Sequence, residues 1–266
     1  MASCFALYNG RKGERLMLSV GITTFKYRFE SFFIPLLTKI KTIAPDIEVV
    51  VAINGEHLQP LDENYRSRIL RFIADQKNVI PIMFPCFRAL AKLWNHILIT
   101  SSNDYVFLLN DDVQITDDRI FEKLTALLIH NHFYSFKLNK HWSMVLLNKW
   151  EVDQLGYFDE RLLGIGNEDH DFEWRYGKFF GREFVNLEFS GIEDFWDPVS
   201  APVNIKPDPS NKYSLFNANF IHTEKYRVDE TLGEVHGTWP NKRVLVIEDP
   251  KQYPHEAFYK QRKTEL

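Results

Sequence analysis

The stretch YVFLLNDDV, Tyr105 to Val113, is an unbroken apolar run that stops abruptly at Asn110-Asp111-Asp112. A strand covered on both faces reads as continuous hydrophobics, and open α/β sheets bind ligands just beyond the carboxyl ends of their strands. Carboxylate and amide oxygens placed there make a donor set for a hard divalent cation. Such an ion takes few protein ligands and completes its shell with phosphate oxygens and water. The same residues can instead cap a helix, because Asp and Asn at a strand-to-helix junction satisfy orphan N–H groups. Asp117, seven residues after Asn110 and just ahead of the apolar-periodic stretch Ile120 to Ile129, is better placed for that cap. That weighs the acidic pair toward the metal.

Upstream of this run the chain alternates between strand-like and helix-like segments. LMLSVGITT, Leu16 to Thr24, reads as a first buried strand ending in small hydroxylated residues, and Phe29 to Ile43 has helical spacing. Ile47 to Ile53 is a second apolar run, closed by the turn signal Asn54-Gly55. Ile69 to Ala74 fits a helix, Val79 to Phe84 a third strand and Ala89 to Thr100 a further helix. Strands alternating with helices predict a mostly parallel sheet with helices on both faces, the nucleotide-binding type of α/β architecture. Beyond Asp117 the rhythm changes to helices mixed with short strands such as Ser143 to Leu147. From Ser190 to Tyr213 a loop-like stretch carries Pro198, Pro202, Pro207 and Pro209, and it reads equally as a binding loop or a passive surface excursion.

Composition narrows the function classes. With 266 residues the chain suits one large domain or two closely joined ones, and 45% apolar with 26% charged residues is ordinary for a globular protein. A net charge of −4 argues against nucleic-acid binding, whose footprint is a basic surface. Two cysteines, Cys4 and Cys86, are too few for a disulfide scaffold and fit a reducing compartment. No run of eighteen or more apolar residues would span a membrane, and Arg11, Lys12, Glu14 and Arg15 break any secretory-signal layout. The expected location is the cytoplasm. The basic, aromatic tail from Lys251 to Leu266 reads as a solvated terminus, with peripheral contact to an anionic membrane as the alternative.

Four landmarks then fall in one order: Thr23-Thr24-Phe25, Asn54-Gly55, Asn110-Asp111-Asp112, and GYFDERLLGIGNEDHDFEWRYGKFFG from Gly156 to Gly181. Together they resemble the family 2 glycosyltransferases of the GT-A fold, over about Leu18 to His222. Asn95 stands fifteen positions before Asn110, the interval at which that family commonly carries a helix Asn. The resemblance implies a Rossmann-like central sheet with a mixed α/β acceptor-binding portion. It divides the chain into an extension over 1–15, a nucleotide-sugar-binding half over 16–116, an acceptor-binding and catalytic half over 117–235, and a tail over 236–266. It implies a nucleotide-diphospho-sugar donor, a carbohydrate acceptor, a Mn²⁺ or Mg²⁺ cofactor and mostly inverting transfer in surface-glycan assembly. A retaining enzyme and a non-catalytic nucleotide-sugar or glycan-binding module on the same fold are the alternatives. Three positions depart from the family pattern. Asn110 replaces its first metal-motif Asp, Asn54 replaces an Asp against the nucleobase, and Trp94 replaces an Arg before the helix Asn.

Carried onto these positions, the resemblance puts the metal bond on Asp112, with Asn110 and Asp111 meeting the metal through water or touching the donor's ribose and sugar. It also places a late His, here His222, on the metal or the diphosphate. Asp169 becomes the base that takes the acceptor proton, with Glu168 orienting it or holding an acceptor hydroxyl. Asp171 and Arg175, at i and i+4, read as a structural helix pair. Thr23 and Thr24 can hydrogen-bond nucleotide or phosphate oxygens and Phe25 can lie against the base, unless all three are a plain strand terminus. Lys26 and Arg28 read as diphosphate contacts or solvated surface, and Arg88 or Lys92 as a replacement for the charge of the family's Arg at Trp94, or equally as solvated surface. Asn95 reads as holding the nucleotide-side loop or as helix packing. Trp142, Trp174, Trp196 and Trp239 are candidate sugar-stacking platforms, with Trp196 and then Trp142 preferred.

Overall fold

The computed structural model describes residues 18–56, 61–131, 134–194, 214–221, 226–228 and 243–245. The extension over 1–15, His222, Trp196, Trp239, the prolines of the 190–213 stretch and the tail lie outside them. The apolar run becomes strand β4, Tyr105–Asn110, in which all but Asn110 are buried. It lies beside β1, Leu18–Thr24, which is buried throughout. β1 also pairs in parallel with β2, Glu48–Ile53, and β2 with β3, Val79–Met83. Helices connect these strands: α1 (Ile34–Ile43), α2 (Glu63–Ala74) and α3 (Leu90–Thr100). The sequence spacing predicts one helix over Phe29 to Ile43. Instead the chain leaves β1 through a 3₁₀ turn at Lys26–Arg28 and a π turn at Phe29–Phe33 before α1 begins. Asp62 caps α2 by accepting from the Asn64 and Tyr65 amides, so that helix starts six residues before the predicted Ile69.

Downstream come β5 (Val113–Ile115), α4 (Ile120–Asn131), β6 (Phe136–Leu138), β7 (His141–Asn148), α5 (Lys149–Leu155), α6 (Glu168–Phe180), β8 (Val185–Leu187) and β9 (Ile192–Asp194). α7 (Ser214–Phe220) and a small antiparallel pair, β10 (Tyr226–Val228) with β11 (Arg243–Leu245), complete the described chain. Asp117 does act at the start of α4, where its carboxylate accepts from the Arg119 amide. The start of the stretch read as a loop from Ser190 is strand: β9 pairs antiparallel with β5.

One seven-stranded sheet runs β3-β2-β1-β4-β7-β6-β8. β7 is antiparallel to β4 and to β6, while the remaining pairings are parallel. Alternate side chains of each strand face opposite layers. Val20, Ile22, Val49, Val51 and Phe107 pack against α1, α2 and α4. Val50, Ala52, Val106, Leu108, Val145 and Leu147 pack against α3, α5 and α6. Each such aliphatic side chain contributes about 1.5–3 kcal/mol by leaving water, which is why the central strands read as continuous hydrophobics. Among the described residues no helix is long and apolar enough to cross a membrane.

At the carboxyl edge the chain crosses itself closely. Gly55, leaving β2, lies against the residues leading out of β3, and a Cβ there would stand 2.4 to 2.5 Å from backbone atoms of Cys86. Those are backbone atoms, so relief requires moving the segment. Gly55→Ala should lower the unfolding free energy by about 1–3 kcal/mol. That would appear as a reduced urea midpoint with little change in slope; an unaltered midpoint would show the crossing to be slack.

Candidate active site

The strand order reverses at β1, whose neighbours β2 and β4 lead to connections on either side, and this opens a crevice at the carboxyl ends. A small cleft lies there. Thr23, Thr24 and Phe25 enter it from β1, Asn54 from β2, and Asn110 with Asp111 from β4. Phe87, Leu90 and Leu93 give it an apolar wall, and Ile165 enters from the loop before α6. Thr23 and Asn110 are register partners across β1 and β4, so the two strand ends meet side by side.

Asp111 and Asp112 are both nearly inaccessible, at 3% and 5% exposure. Arg28 bridges them, its Nε 2.7 Å from Asp111 Oδ1 and its Nη2 2.6 Å from Asp112 Oδ2. Neither sequence reading of Arg28, diphosphate contact or solvated surface, describes this. The other oxygens, Asp111 Oδ2 and Asp112 Oδ1, are buried without a hydrogen-bond partner. Burial pushes the Asp111 carboxyl up to about 7, with Arg28 opposing and Asp112 adding to the rise. For Arg28 burial acts to lower the pKa, but Asp111, Asp112 and Asp194 outweigh it and leave the pKa raised. Asp194 is presented by β9 opposite Val113, where the Ser143 hydroxyl donates to it at 2.9 Å and His141 Nδ1 lies 3.3 Å away.

Among the described residues no group of three or more His, Cys, Asp or Glu side chains could hold a metal by itself. The two orphan carboxylate oxygens nevertheless fit a hard cation held by one or two carboxylates and completed by ligand phosphates. The second candidate ligand, His222, lies outside the described residues.

Two of the predicted nucleotide contacts are already committed to backbone. Asn54 accepts from the Arg88 amide at 2.8 Å and donates to the Arg88 carbonyl at 2.9 Å, so its amide braces the cleft's wall. Asn95 is fully enclosed and does not reach the cleft. It accepts from the Phe158 amide at 2.9 Å and donates to the Phe158 carbonyl and Glu160. These bonds tie α3 to the segment that leads toward α6. Lys92 pairs with Glu160 at 3.3 Å, whereas Arg88 lines the cleft and forms no ion pair among the described residues.

The loop before α6 is bound just as tightly. Gly164 and Gly166 have φ of 59° and 119°, and Asn167 has 71°, so three residues in this short stretch take left-handed backbone. The Leu90 amide donates to the Gly164 carbonyl at 2.8 Å. Asn217 of α7 accepts from the Leu163 amide and donates to the Leu163 and Gly166 carbonyls, a role no sequence signal announces. Glu168 is 4% exposed and accepts from the Gly166 amide at 2.7 Å, while the Asp169 side chain is 25% exposed. Asp171 and Arg175 form a buried pair at 2.9 Å, and Arg175 also donates to the carbonyls of Leu155, Gly156 and Tyr157. That pair is structural, as its spacing predicts.

Trp142, partly buried, stacks on Trp94 and Phe184 against the α3–α6 layer, and its indole N–H donates to Glu173. Trp174 is buried, against Leu162, Phe220 and Ile221.

Burial first, and the charge of Asp169 second, push the Glu168 carboxyl up to about 8 from its ordinary 4.5. A raised folded-state value means the folded chain holds this proton more tightly than the unfolded one. The associated stability is full below pH 4.5 and is lost as pH rises through about 8. Glu168→Gln removes the titration, so the melting temperature of the variant should fall less than that of the wild type across this window. Parallel melting curves for the two proteins would contradict the assignment.

No protein-family model and no curated protein matches this sequence. Solved structures do. S. aureus TarS 1-349 aligns at a TM-score of 0.52 with 13% identity over 66% of this chain and 59% of that one, and TarS 1-349 is also solved in complex with UDP. The mannosyltransferase PcManGT from Pyrobaculum calidifontis, in complex with GDP-Man and Mn²⁺, aligns at 0.50 with 14% identity over 66% of this chain and 56% of that one. Glucosyl-3-phosphoglycerate synthase from Mycobacterium tuberculosis, with Mn²⁺, UDP and phosphoglyceric acid, aligns at 0.50 with 10% identity over 69% and 72%. The chain thus spans under two thirds of TarS 1-349 and of PcManGT. Identities this low speak for architecture alone, and the architecture they share with this chain is the GT-A fold.

Proposed function

We propose that this chain is a glycosyltransferase that moves a sugar from a nucleotide-diphosphate donor to a carbohydrate acceptor with inversion. The observation that carries the reading is that one cleft joins the ends of β1 and β4, with Asp111, to the loop that leads into Glu168 and Asp169. A donor and an acceptor brought to that cleft would have acidic groups at both edges. The structural neighbours solved with UDP, or with GDP-Man and Mn²⁺, support the same donor class. Surface-glycan assembly in the cytoplasm is the setting that the family resemblance adds.

On this reading the apolar wall of Phe25, Phe87, Leu90 and Leu93 takes the flat face of the base, and the hydroxyls of Thr23 and Thr24 meet ribose or phosphate oxygens. Asp112, with Asp111, would hold Mn²⁺ or Mg²⁺, which when bound offsets the charge of the departing diphosphate. Asp169 accepts the proton of the acceptor hydroxyl as the new bond to the anomeric carbon forms and the bond to the diphosphate oxygen breaks. Glu168, buried and accepting from the Gly166 amide, orients the loop that presents Asp169.

Asp112→Ala should abolish the Mn²⁺ stimulation of UDP or GDP binding in calorimetry; affinities that respond to Mn²⁺ as in the wild type would remove Asp112 from the metal. Asp169→Asn should leave donor affinity near normal and slow transfer by about two orders of magnitude or more. Transfer close to the wild-type rate would mean that another group is the base.

A further inference from the structure

Arg28 occupies the acidic pair in a way that leaves it half satisfied. Its guanidinium takes one oxygen from each carboxylate, and the remaining oxygen of each is buried with no hydrogen-bond partner. One positive charge therefore faces two carboxylates, with Asp194 also acting on it, in a place that water hardly reaches. A divalent ion would balance both charges, but an ion and a guanidinium on the same two groups would repel each other at low dielectric. The two are alternatives.

Arg28 also lines the cleft, beside Thr23, Thr24 and Asn110. It sits at the end of the 3₁₀ turn, which its amide closes onto the Phe25 carbonyl at 3.0 Å, and its guanidinium is flanked by the rings of Phe25 and Phe32 at 5.8 and 5.1 Å. A planar, always-charged fork anchored there can pair with carboxylates or with phosphate oxygens. A cation held by one or two carboxylates completes its shell with water and ligand phosphate oxygens, so a diphosphate in the cleft would strengthen its binding. Entry of the cation and of the diphosphate is therefore linked.

We propose that Arg28 is an exchangeable counter-ion: it neutralises Asp111 and Asp112 while no divalent cation is present, and it yields the pair to that cation and turns to the diphosphate when the donor enters. Arg28 is thus a positioning residue that couples metal affinity to donor occupancy. This inference rests on the metal-dependent reading above.

The test is Mn²⁺ binding by electron paramagnetic resonance of the free ion, with and without UDP or GDP, on wild type, Arg28→Gln and Arg28→Lys, with circular dichroism to verify folding. Wild type should bind Mn²⁺ weakly alone and more tightly with UDP or GDP. Arg28→Gln should bind Mn²⁺ alone about tenfold or more tightly than wild type, because the competing occupant is gone. Arg28→Lys, which keeps the charge but cannot fork across both carboxylates, should fall between them and decides the question if the Gln variant does not fold. Equal Mn²⁺ affinity of the variants and wild type in the absence of nucleotide would overturn the exchange and leave the metal site standing. No Mn²⁺ binding by any of the three, even with UDP and GDP, would overturn both.

Discussion

The parallel pairing of β1 with β2 on one side and β4 on the other is the constraint on which the site depends. Parallel strands share a direction, so Thr24, Asn54 and Asn110 all leave the sheet at the same edge. Since the neighbours of β1 belong to connections running in opposite directions, the chain parts there and a crevice remains. Slipping β4 by one residue would exchange its buried faces and put Leu109 opposite Thr23. The hydrophobic layers on both sides of the sheet forbid that.

A second layer of organisation fixes the far wall of the cleft. α3 packs on the sheet and reaches across to the segment before α6 through Asn95, Lys92 and the Leu90 amide. Each of these bonds spans distant parts of the chain, and Asn95 is enclosed, so losing its partner would leave the Phe158 amide orphaned in the interior. The loop that carries Ile165 is thereby held against the strand ends. Its left-handed turns at Gly164, Gly166 and Asn167 then deliver Glu168 inward and Asp169 toward solvent.

Much of the fold was legible because burial on both faces leaves a direct mark on composition. β1, β2 and β4 read as apolar runs, and the Asn54-Gly55 and Asn110-Asp111 terminations marked the edge where a cleft forms. The helix starts were less legible. The π turn at Phe29–Phe33 carries apolar residues at spacing that a helix would also show, and the Asp62 cap precedes a polar first turn without apolar periodicity. The site was legible in its residue types but not in their partners. Asn54 read as a ligand contact because amides serve ligands and backbone alike, and only placement shows that Arg88 holds it, as Phe158 holds Asn95. Trp142 read as a platform for the same reason, since an aromatic ring suits a sugar or a core.

What the sequence alone determined is the α/β rhythm, the acidic termination of β4 and the acidic start of α6, all of which follow from local pattern and the need to bury apolar surface. What only the tertiary structure decided is which charges meet. Arg28 on Asp111 and Asp112, Asp194 beside them, and Asn217 under the Gly164 loop join positions far apart in the chain. Such pairings leave no periodic trace, because a buried charge is settled by whatever the fold brings within hydrogen-bonding distance of it and not by its neighbours in sequence.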